Sequence, residues 1–453
     1  MSSLDISQLK KIALAVFIAL LISLLSLPFL NATQASLVGI IAFLVTLWTN
    51  EGLPLAVVSL MPIVLFPTFG VLNTKATAIN YANPIVFLFL GGFLIAIAVE
   101  KSRLHLWIAD KILNFFPSTP RAMIFSLALT SSLLSSILSN TTTTLLLMSI
   151  ALFITNEVAL KLRFALAIAY GASVGGILTP IGTPPNLILL GLMQEKGMEL
   201  IPFFQWMWMV APLTLIMLFA VSTILGIGVH SSTIERSKET HLLNKEQKKV
   251  LFVLGGLIAL LLVNAPIRPY WDGLGLNESG ILLGTGLLLF VSPFNILEWM
   301  EDKDNIPYRI MFLFGAGFSI ASAFMQTGLA DEVASYLISM TQLQPIFLLL
   351  AIAALITFTT EVTSNTALIS IMLPVIYSVS EQTGINTTLF MMVATLCASY
   401  AFMLPIATPP NAIAMSSGVV DVKSMIRYGV ILNLVGIALI ALIAEFFWKN
   451  ILL

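Results

Sequence analysis

The amino-acid sequence predicts an all-α polytopic membrane protein, with about 11 transmembrane helices and two re-entrant hairpins in two inverted repeats. Three observations support this fold class. Of the 453 residues, 58% are hydrophobic and only 9% are charged, and the mean hydropathy is +1.01. Apolar runs of about 20 residues, the length that spans a bilayer, recur along the whole chain. Motifs of the first half also recur in the second half at one constant spacing.

The composition excludes several classes of protein. A soluble domain carries about 25% charged residues, so a soluble enzyme, a disordered protein and a nucleic-acid-binding protein are disfavoured. The apolar runs are continuous, whereas outer-membrane barrels alternate apolar and polar residues. Cys397 is the only cysteine, so the sequence predicts no internal disulfide and no metal cluster. The net charge of −1 indicates no charged macromolecular partner.

The predicted membrane-crossing segments are, in chain order, 12–30, 36–50, 54–69, 84–100, 164–190, 205–229, 250–265, 276–292, 310–326, 389–417 and 428–448. The first begins after Lys10 and Lys11, as a signal peptide does, but it has no clear small-residue cleavage site and is interpreted as a retained helix. Two longer apolar stretches, 122–155 and 345–380, are interrupted near the middle by polar residues. They are predicted to be re-entrant hairpins.

The distribution of basic residues orients the chain. With the N-terminus in the cytoplasm, 17 of the 21 basic residues lie on the inner side, and the four exceptions are Lys75, Lys196, Arg268 and Lys449. This orientation agrees with the positive-inside rule and places the C-terminus outside. The hairpin 122–155 has basic residues at both flanks, so it must return to the cytoplasmic side.

One long hydrophilic segment, 230–249, is predicted to be a cytoplasmic linker that joins two halves of the chain. An ordinary cytoplasmic loop explains its composition nearly as well.

Three pairs of motifs define an internal repeat, and the members of each pair are 225 residues apart (for example, 364 − 139). The pairs are Leu88–Phe93 with Leu313–Phe318, Ser139-Asn140-Thr141 with Ser364-Asn365-Thr366, and Thr183-Pro184-Pro185-Asn186 with Thr408-Pro409-Pro410-Asn411. An odd number of predicted crossings, five, separates the two Ser-Asn-Thr motifs, so the second half is inverted relative to the first. Inverted repeats with broken helices are typical of secondary transporters, which bind substrate near the membrane midplane. A channel or an intramembrane enzyme gives no reason for hairpins that open to opposite sides.

The repeated motifs contain residues that start helices. Ser and Asn are good N-cap residues, and Pro fits the first helical turn. Helices are therefore predicted to begin at the Ser-Asn-Thr motifs, 139–141 and 364–366, and at the Thr-Pro-Pro motifs, 183–185 and 408–410. Four helix N-termini that converge on one region form an anion site from backbone groups alone. None of the motifs contains Lys, Arg or His. The site is therefore predicted to balance an anion with helix dipoles and co-bound cations instead of fixed positive charge.

The same motifs offer oxygen ligands for an alkali cation, namely hydroxyls, amides and the carbonyls freed at each helix break. Alignment of the two halves pairs Ser135 with Thr360, so each hairpin has a hydroxyl one turn before its Ser-Asn-Thr motif. The sequence therefore predicts two equivalent cation sites.

Some of these polar and small residues have simpler explanations. The hydroxyls of 142–144, considered alone, are explained by bonds back to helix carbonyls. The glycines of the first motif pair indicate close helix packing; they are Gly91, Gly92, Gly315 and Gly317. Glu361, the one acid inside a hairpin, has either a functional role, as intramembrane acids usually do, or a structural role as an acceptor of backbone hydrogen bonds.

At these residues the chain resembles the divalent-anion:sodium symporter family. The paired Ser-Asn-Thr motifs and the stretch Thr-Pro-Ile-Gly-Thr-Pro-Pro-Asn at 179–186 are specific, and the resemblance covers nearly the whole chain. It implies a homodimer in which each protomer has a scaffold domain and a transport domain that moves as an elevator. The implied parts are a scaffold of 1–121 and 250–344 with arm helices in 101–121 and 327–344, a transport domain of 122–229 and 345–453, and the linker 230–249.

The resemblance also implies roles for single residues. Substrate carboxylates are expected to contact Ser139, Asn140, Thr141, Thr183, Ser364, Asn365, Thr366, Thr408 and Pro409. One sodium site is expected to use Ser135, Ser139, Asn140 and the Gly182 backbone. The other sodium site is expected to use Thr360, Thr363, Asn365 and the Ala407 backbone.

The expected function is sodium-coupled import of C4-dicarboxylates such as succinate, fumarate or malate across the plasma membrane, with sodium as coupling ion and no cofactor. The sequence matches no Gly-x-Ser-x-Gly, His-Glu-x-x-His or Walker A motif, so no enzyme is predicted. The alternatives are a sodium-independent dicarboxylate exchanger, a sulfate or citrate carrier and, from a different class, an anion channel.

Overall fold

The computed structural model describes residues 6–229, 242–266, 270–340 and 345–452, without the side chains of 336–340. Within these ranges it contains helices and no β-strand. Two predicted parts lie partly outside the described residues: the linker, from 230 to 241, and the end of the second arm, from 341 to 344.

The helices of the first half are α1 (Ile6–Ser26), α2 (Ala32–Asn50), α3 (Leu55–Leu60), α4 (Pro62–Thr68), α5 (Thr74–Ala78), α6 (Pro84–Lys101), α7 (Leu104–Phe115), α8 (Pro120–Ser135), α9 (Asn140–Ile154), α10 (Val158–Gly176), α11 (Pro184–Glu195) and α12 (Phe203–Gly226). The helices of the second half are α13 (Lys245–Asn264), α14 (Glu278–Leu288), α15 (Trp299–Asp302), α16 (Tyr308–Gln326), α17 (Leu329–Met340), α18 (Pro345–Thr360), α19 (Asn365–Thr383), α20 (Thr387–Ser399), α21 (Pro409–Ser416) and α22 (Val422–Phe446). Short 3-10 helices occupy Ile79–Ala82, Lys303–Asn305 and Trp448–Asn450.

Seven helical segments of the described chain are long and apolar enough to cross a membrane, and several shorter apolar helices accompany them. The helices are hydrophobic around most of their circumference, as expected for helices that contact either lipid or one another. The protein is therefore an all-α polytopic membrane protein.

Two segments that were predicted as single crossings are each two helices in the structure. The segment 164–190 is divided between the end of α10 and the start of α11, and 389–417 is divided between α20 and α21. The second helix of each pair, α11 or α21, starts at a Pro-Pro pair. Proline has no backbone N–H to continue the preceding helix, and its ring clashes with the preceding turn. The segment 54–69 is likewise divided, before Pro62.

The internal repeat is visible in the positions of the helices. Four helix starts in the first half recur 225 residues later in the second half: Leu104 and Leu329, Pro120 and Pro345, Asn140 and Asn365, and Pro184 and Pro409. Each half thus contains a helix–break–helix hairpin followed by a broken helix. The hairpins are α8–α9 and α18–α19, and the broken helices are α10–α11 and α20–α21.

Glycines allow the closest helix contacts. Gly171 and Gly175 place the backbone of α10 directly against α8, where a Cβ on Gly175 would overlap the backbone of Ser132. Gly91 brings α6 against the backbone of α14, and Gly315 packs on the ring of Tyr81. The close-packing interpretation of Gly91 and Gly315 is thus confirmed.

The two halves interlock at their broken helices. Helix α11 of the first half packs against α19 and α20 of the second, and α21 of the second half packs against α9 and α10 of the first. Phe89 and Phe314, which are equivalent in the repeat, meet edge to face with ring centroids 4.7 Å apart. The repeated Leu88–Phe93 and Leu313–Phe318 segments therefore meet each other where the two halves join.

Candidate substrate and cation site

Four helix starts line one cavity of about 370 Å³ at the interface between the two halves. The helices are α9, α11, α19 and α21, which begin at the predicted motifs, and their N-caps are Ser139, Thr183, Ser364 and Thr408. The Ser139 hydroxyl accepts a hydrogen bond from the Thr142 amide at 3.1 Å. The first N–H groups of a helix have no partner within the helix, and its N-terminus carries a partial positive charge. The cavity therefore has the backbone chemistry of an anion site.

All nine predicted substrate residues lie in the wall of this cavity: Ser139, Asn140, Thr141, Thr183, Ser364, Asn365, Thr366, Thr408 and Pro409. The structure thus brings together two motifs from each half. Apolar side chains complete the wall, among them Phe89, Phe93 and Leu313. The sequence interpretation gave these residues no role in the site, although they belong to the repeated Leu88–Phe93 and Leu313–Phe318 pair.

The first predicted cation site is a compact group of oxygen atoms behind the cavity wall. The buried Ser135 hydroxyl donates a hydrogen bond to Oδ1 of Asn140 at 2.5 Å. A Cβ on Gly176 would lie 3.0 Å from the same Oδ1, and a Cβ on Gly182 would overlap the carbonyl of Gly176. Ser135, Asn140 and Gly182 therefore meet around Gly176, and Ser139 precedes Asn140 at the helix cap.

The second predicted cation site repeats this contact in the other half. The oxygen of the buried Thr360 hydroxyl lies 2.6 Å from Oδ1 of Asn365 and 2.9 Å from the Ala398 carbonyl, and its single hydrogen can be donated to either acceptor. Asn365 and Ala407 lie together in the cavity wall. Thr363 lies in the break between α18 and α19, and its hydroxyl donates to the Thr359 carbonyl near the end of α18 at 2.8 Å, which leaves the hydroxyl oxygen as an acceptor.

The ligands offered at both places suit an alkali cation. They are neutral hydroxyl, amide and backbone oxygens at helix breaks, which is the ligand set that binds sodium in transporters with broken helices. Within the described part of the chain, no group of three or more His, Cys, Asp or Glu side chains is placed to hold a metal ion. Soft or strongly charged ligand sets, which transition metals favour, are thus not found in the described residues.

Two asparagines of the repeated motifs hold the broken helices in shape. The side-chain nitrogen of Asn186 donates to the carbonyls of Thr179 and Gly176, at 2.9 and 3.4 Å. Asn411 donates to the two equivalent carbonyls, 225 residues later, at 3.0 Å each. Within the break, the carbonyls of Thr179 and Leu404 also accept one turn hydrogen bond each, from Gly182 and Ala407. The asparagines add side-chain donors at the break, where an unpaired backbone group inside a membrane costs several kcal/mol. The asparagines are thus structural parts of the site.

Glu361 has the structural role that was one of its two interpretations. Its carboxylate accepts hydrogen bonds from the backbone N–H groups of Phe402, Met403 and Leu404 at 2.8, 2.9 and 2.9 Å, and from Nδ2 of Asn433 at 2.6 Å. Its side chain is buried and does not belong to the cavity wall. Glu361 therefore ties the tip of the second hairpin to the break between α20 and α21.

One finding corrects the prediction of a site without fixed positive charge. Arg309, in the first turn of α16, lies in the cavity wall. It also lines a second space of about 790 Å³, the vestibule, which shares Leu55, Ser364 and Pro409 with the cavity. The vestibule lies where α1 begins and α2 ends, the face to which the basic residues assign the cytoplasm. Arg309 was missed because it precedes the repeated motif at 313–318 and reaches the cavity only through packing.

Comparisons with known proteins agree with this architecture. A family model described as citrate transporter (CitMHS) matches residues 41–385. A sodium-dependent dicarboxylate transporter, SdcS, of Staphylococcus saprophyticus is 30% identical over 478 aligned positions, which cover 98% of this chain and 92% of the relative. SdcS of Staphylococcus aureus strain USA300 is 31% identical over 467 positions, which cover 94% of this chain and 89% of the relative.

A solved structure also resembles the chain. The YdaH transporter of Alcanivorax borkumensis, whose crystal structure is described as having an unusual topology, aligns with a TM-score of 0.61 at 15% identity, covering 83% of this chain and 88% of that one. This likeness supports the fold. Because the family model matches most of the chain and the relatives match nearly its full length, the protein belongs to the citrate transporter family and is a membrane transporter of the divalent-anion:sodium symporter type.

Proposed function

We propose that the protein is a secondary transporter that couples the import of C4-dicarboxylates to sodium. One observation supports this most directly: Asn140 and Asn365 line the anion cavity and also carry the amide oxygens that Ser135 and Thr360 contact behind it. The same side chain therefore serves both a substrate site and a cation site in each half. The relatives of this chain in two Staphylococcus species are named sodium-dependent dicarboxylate transporters, which supports the same assignment.

The equivalent motifs of the two halves bind the two ends of the substrate. One carboxylate contacts the first Ser-Asn-Thr motif with Thr183, and the other contacts the second motif with Thr408 and Pro409. A dianion with a carboxylate at each end matches a cavity in which equivalent helix N-termini face one another. The volume of about 370 Å³ is near the lower end of the range of about 300–1,000 Å³ for small-molecule sites, which favours compact substrates such as succinate, fumarate or malate.

Sodium provides the charge that makes the anion site effective. A charge near the bilayer centre is costly, and a helix N-terminus supplies only about half a positive charge. Sodium ions at Ser135–Asn140–Gly182 and at Thr360–Asn365–Ala407, with Ser139 and Thr363 alongside, bring full positive charges next to the substrate carboxylates. Substrate and sodium therefore stabilise each other's binding, which is a reciprocal coupling between sites.

Transport proceeds by an elevator movement in a homodimer in the plasma membrane, with the N-terminus in the cytoplasm and the C-terminus outside. Helices α8–α12 and α18–α22 form the moving transport domain, and α1–α7 with α13–α17 form the scaffold. The interlocking of α11 with α19 and α20, and of α21 with α9 and α10, supports movement of both hairpins as one body.

Uptake into proteoliposomes tests this function. Radiolabelled succinate uptake is measured with sodium and proton gradients imposed separately, and with unlabelled succinate, citrate or sulfate as competitor. We expect concentrative uptake only with a sodium gradient, and competition mainly by C4-dicarboxylates. Sodium-independent exchange of internal for external dicarboxylate would identify an exchanger, dominant competition by citrate or sulfate would reassign the substrate, and flux without cation coupling would identify a channel.

A further inference from the structure

The cavity contains one charged side chain. Among the described residues in its wall, Arg309 alone is charged, and its side chain is exposed to the space that it lines. The remaining wall consists of apolar side chains, hydroxyls, amides and backbone. No ion pair of Arg309 is found among the described residues. Its guanidinium is therefore available to an anion in the cavity.

The position of Arg309 is on the path between the cavity and the vestibule. Arg309, Ser364 and Pro409 line both spaces, so an anion that passes from one to the other moves beside the guanidinium. The vestibule is also lined by Lys11 and Glu51, whose charges have opposite sign and cancel. Arg309 thus gives this passage its net positive charge.

The charge has no counterpart in the other half. The residue equivalent to Arg309, 225 positions earlier, is Pro84, the first residue of α6. If the halves are inverted, Pro84 lies at the entrance from the opposite face of the membrane. The cavity therefore has a cation at the entrance from the vestibule, and the equivalent position of the other half carries no charge.

We propose that Arg309 is a substrate-capture residue of the cytoplasm-facing site, which binds a carboxylate of the dianion as it passes between cavity and vestibule. This inference rests on the proposed function. A guanidinium presents paired N–H donors that match a carboxylate, and its charge attracts anions into a narrow passage. Arg309 gives the transporter a higher affinity for dianions on its cytoplasmic face than on its outer face.

The test compares the two faces of the membrane in one variant. The KM for succinate is measured at saturating sodium in right-side-out vesicles, where substrate enters from outside, and in inside-out vesicles, where it enters from the cytoplasmic face. For Arg309→Gln we expect the cytoplasmic-face KM to rise about fivefold, the effect of losing one solvent-accessible ion pair, and the outer-face KM to stay within about twofold. Arg309→Lys should restore most of the affinity, and Lys423→Gln, an exposed basic residue that lines neither space, serves as matched control.

The charge of the ligand gives a second readout. Coulomb energy is proportional to ligand charge, so the inhibition constant of a monoanion, monomethyl succinate, should rise only about twofold on the cytoplasmic face of Arg309→Gln. Transport from the outer face reports folding in the same variant. Equal KM changes on both faces, an unchanged cytoplasmic KM, or equal effects on monoanion and dianion would overturn the capture role alone. Absence of sodium-dependent succinate transport by the wild type would overturn the proposed function and the capture role with it.

Discussion

At the scale of single residues, the proposed coupling between substrate and cation depends on two asparagines. Asn140 has its amide oxygen against the Ser135 hydroxyl and also lies in the cavity wall, and Asn365 has the same arrangement with Thr360. In the proposed mechanism, a side chain with one face toward a cation and the other toward an anion transmits the occupancy of each site to the other without any movement of the backbone. Neither face can be lost without affecting both ligands.

Replacement of Asn140 or Asn365 by alanine should therefore remove sodium-dependent uptake and preserve the fold. Each substitution deletes a hydrogen bond to a charged ligand and a cation ligand, so we expect uptake to fall by at least about tenfold. The measurement is initial uptake rate in proteoliposomes, with size-exclusion profiles of the purified variants. Ser149→Ala, an exposed residue on α9 whose hydroxyl bonds only within its helix, is the matched control. Normal uptake by Asn140→Ala would show that the motif is only structural.

Glu361 contributes to the stability of the fold, because its carboxylate accepts four hydrogen bonds. Ser136 occupies the equivalent position in the first half, where the Thr179 hydroxyl donates to the Ser136 carbonyl instead. The two halves therefore fix hairpin to break by unrelated contacts, although both contacts join the same elements.

The variant Glu361→Gln should be less stable than wild type. A glutamine amide nitrogen cannot accept a hydrogen bond, so at least one of the three backbone N–H groups loses its partner. Hydrogen bonds to charged groups contribute about 1.5–3 kcal/mol each, and we expect the free energy of unfolding to fall by about that amount. Thermal unfolding in detergent measures the effect, with the exposed Glu157→Gln as control. A variant with unchanged melting temperature but no uptake would assign Glu361 a functional role instead.

At the scale of helices, much of the site was predictable because its signals are local. Ser, Thr, Asn and Pro favour helix starts, so the sequence located the starts within the Ser-Asn-Thr and Thr-Pro-Pro motifs. The structure then identifies the individual N-caps as Ser139, Thr183, Ser364 and Thr408. Hydropathy alone failed at 164–190 and 389–417, since it records apolarity and not whether backbone groups are paired. The partners that make those breaks tolerable, such as Asn186 and Glu361, act through tertiary contacts.

The orientation of the two hairpins is the element-scale expectation that an experiment can decide. Glu157 and Gln382 are exposed, lie just after or at the end of the second helix of each hairpin, and are 225 residues apart. In a background in which Cys397 is replaced by alanine, Glu157→Cys should react with a membrane-impermeant thiol reagent only from the cytoplasm. Gln382→Cys should react only from outside, because five crossings separate the equivalent positions. Reaction of both cysteines from the same side would rule out inverted repeats.

At the scale of the whole molecule, the repeated motifs around the cavity and the unrepeated Arg309 have different consequences. Phe89 and Phe314, which are equivalent in the repeat, meet where the halves join. Both halves contribute equivalent helix starts to the cavity and equivalent hydroxyl–amide pairs beside it. Arg309 breaks that symmetry on one face. Its place was not predictable from the motifs, because no local pattern indicates that the first turn of α16 packs beside Ser364. In the proposed mechanism, the equivalent motifs of the two halves determine which anion binds, and Arg309 favours entry of that anion from one face of the membrane.

The charge balance of the whole molecule predicts how many sodium ions accompany the substrate. A dicarboxylate brings two negative charges, and Arg309 offsets only one, at the cytoplasmic entrance. Helix ends supply about half a charge each at a few N–H groups, so full neutralisation during the crossing requires both oxygen clusters to be occupied. We therefore expect at least two sodium ions per dianion and a sigmoidal dependence of succinate uptake on sodium concentration. We also expect poor substitution by lithium, because lithium is smaller than the sodium that the two oxygen clusters are proposed to bind. Initial rates in proteoliposomes across a sodium series, with choline replacing sodium, give the Hill coefficient. A hyperbolic dependence would indicate a single coupling ion, and concentrative uptake driven by protons in sodium-free buffer would replace sodium as the coupling ion.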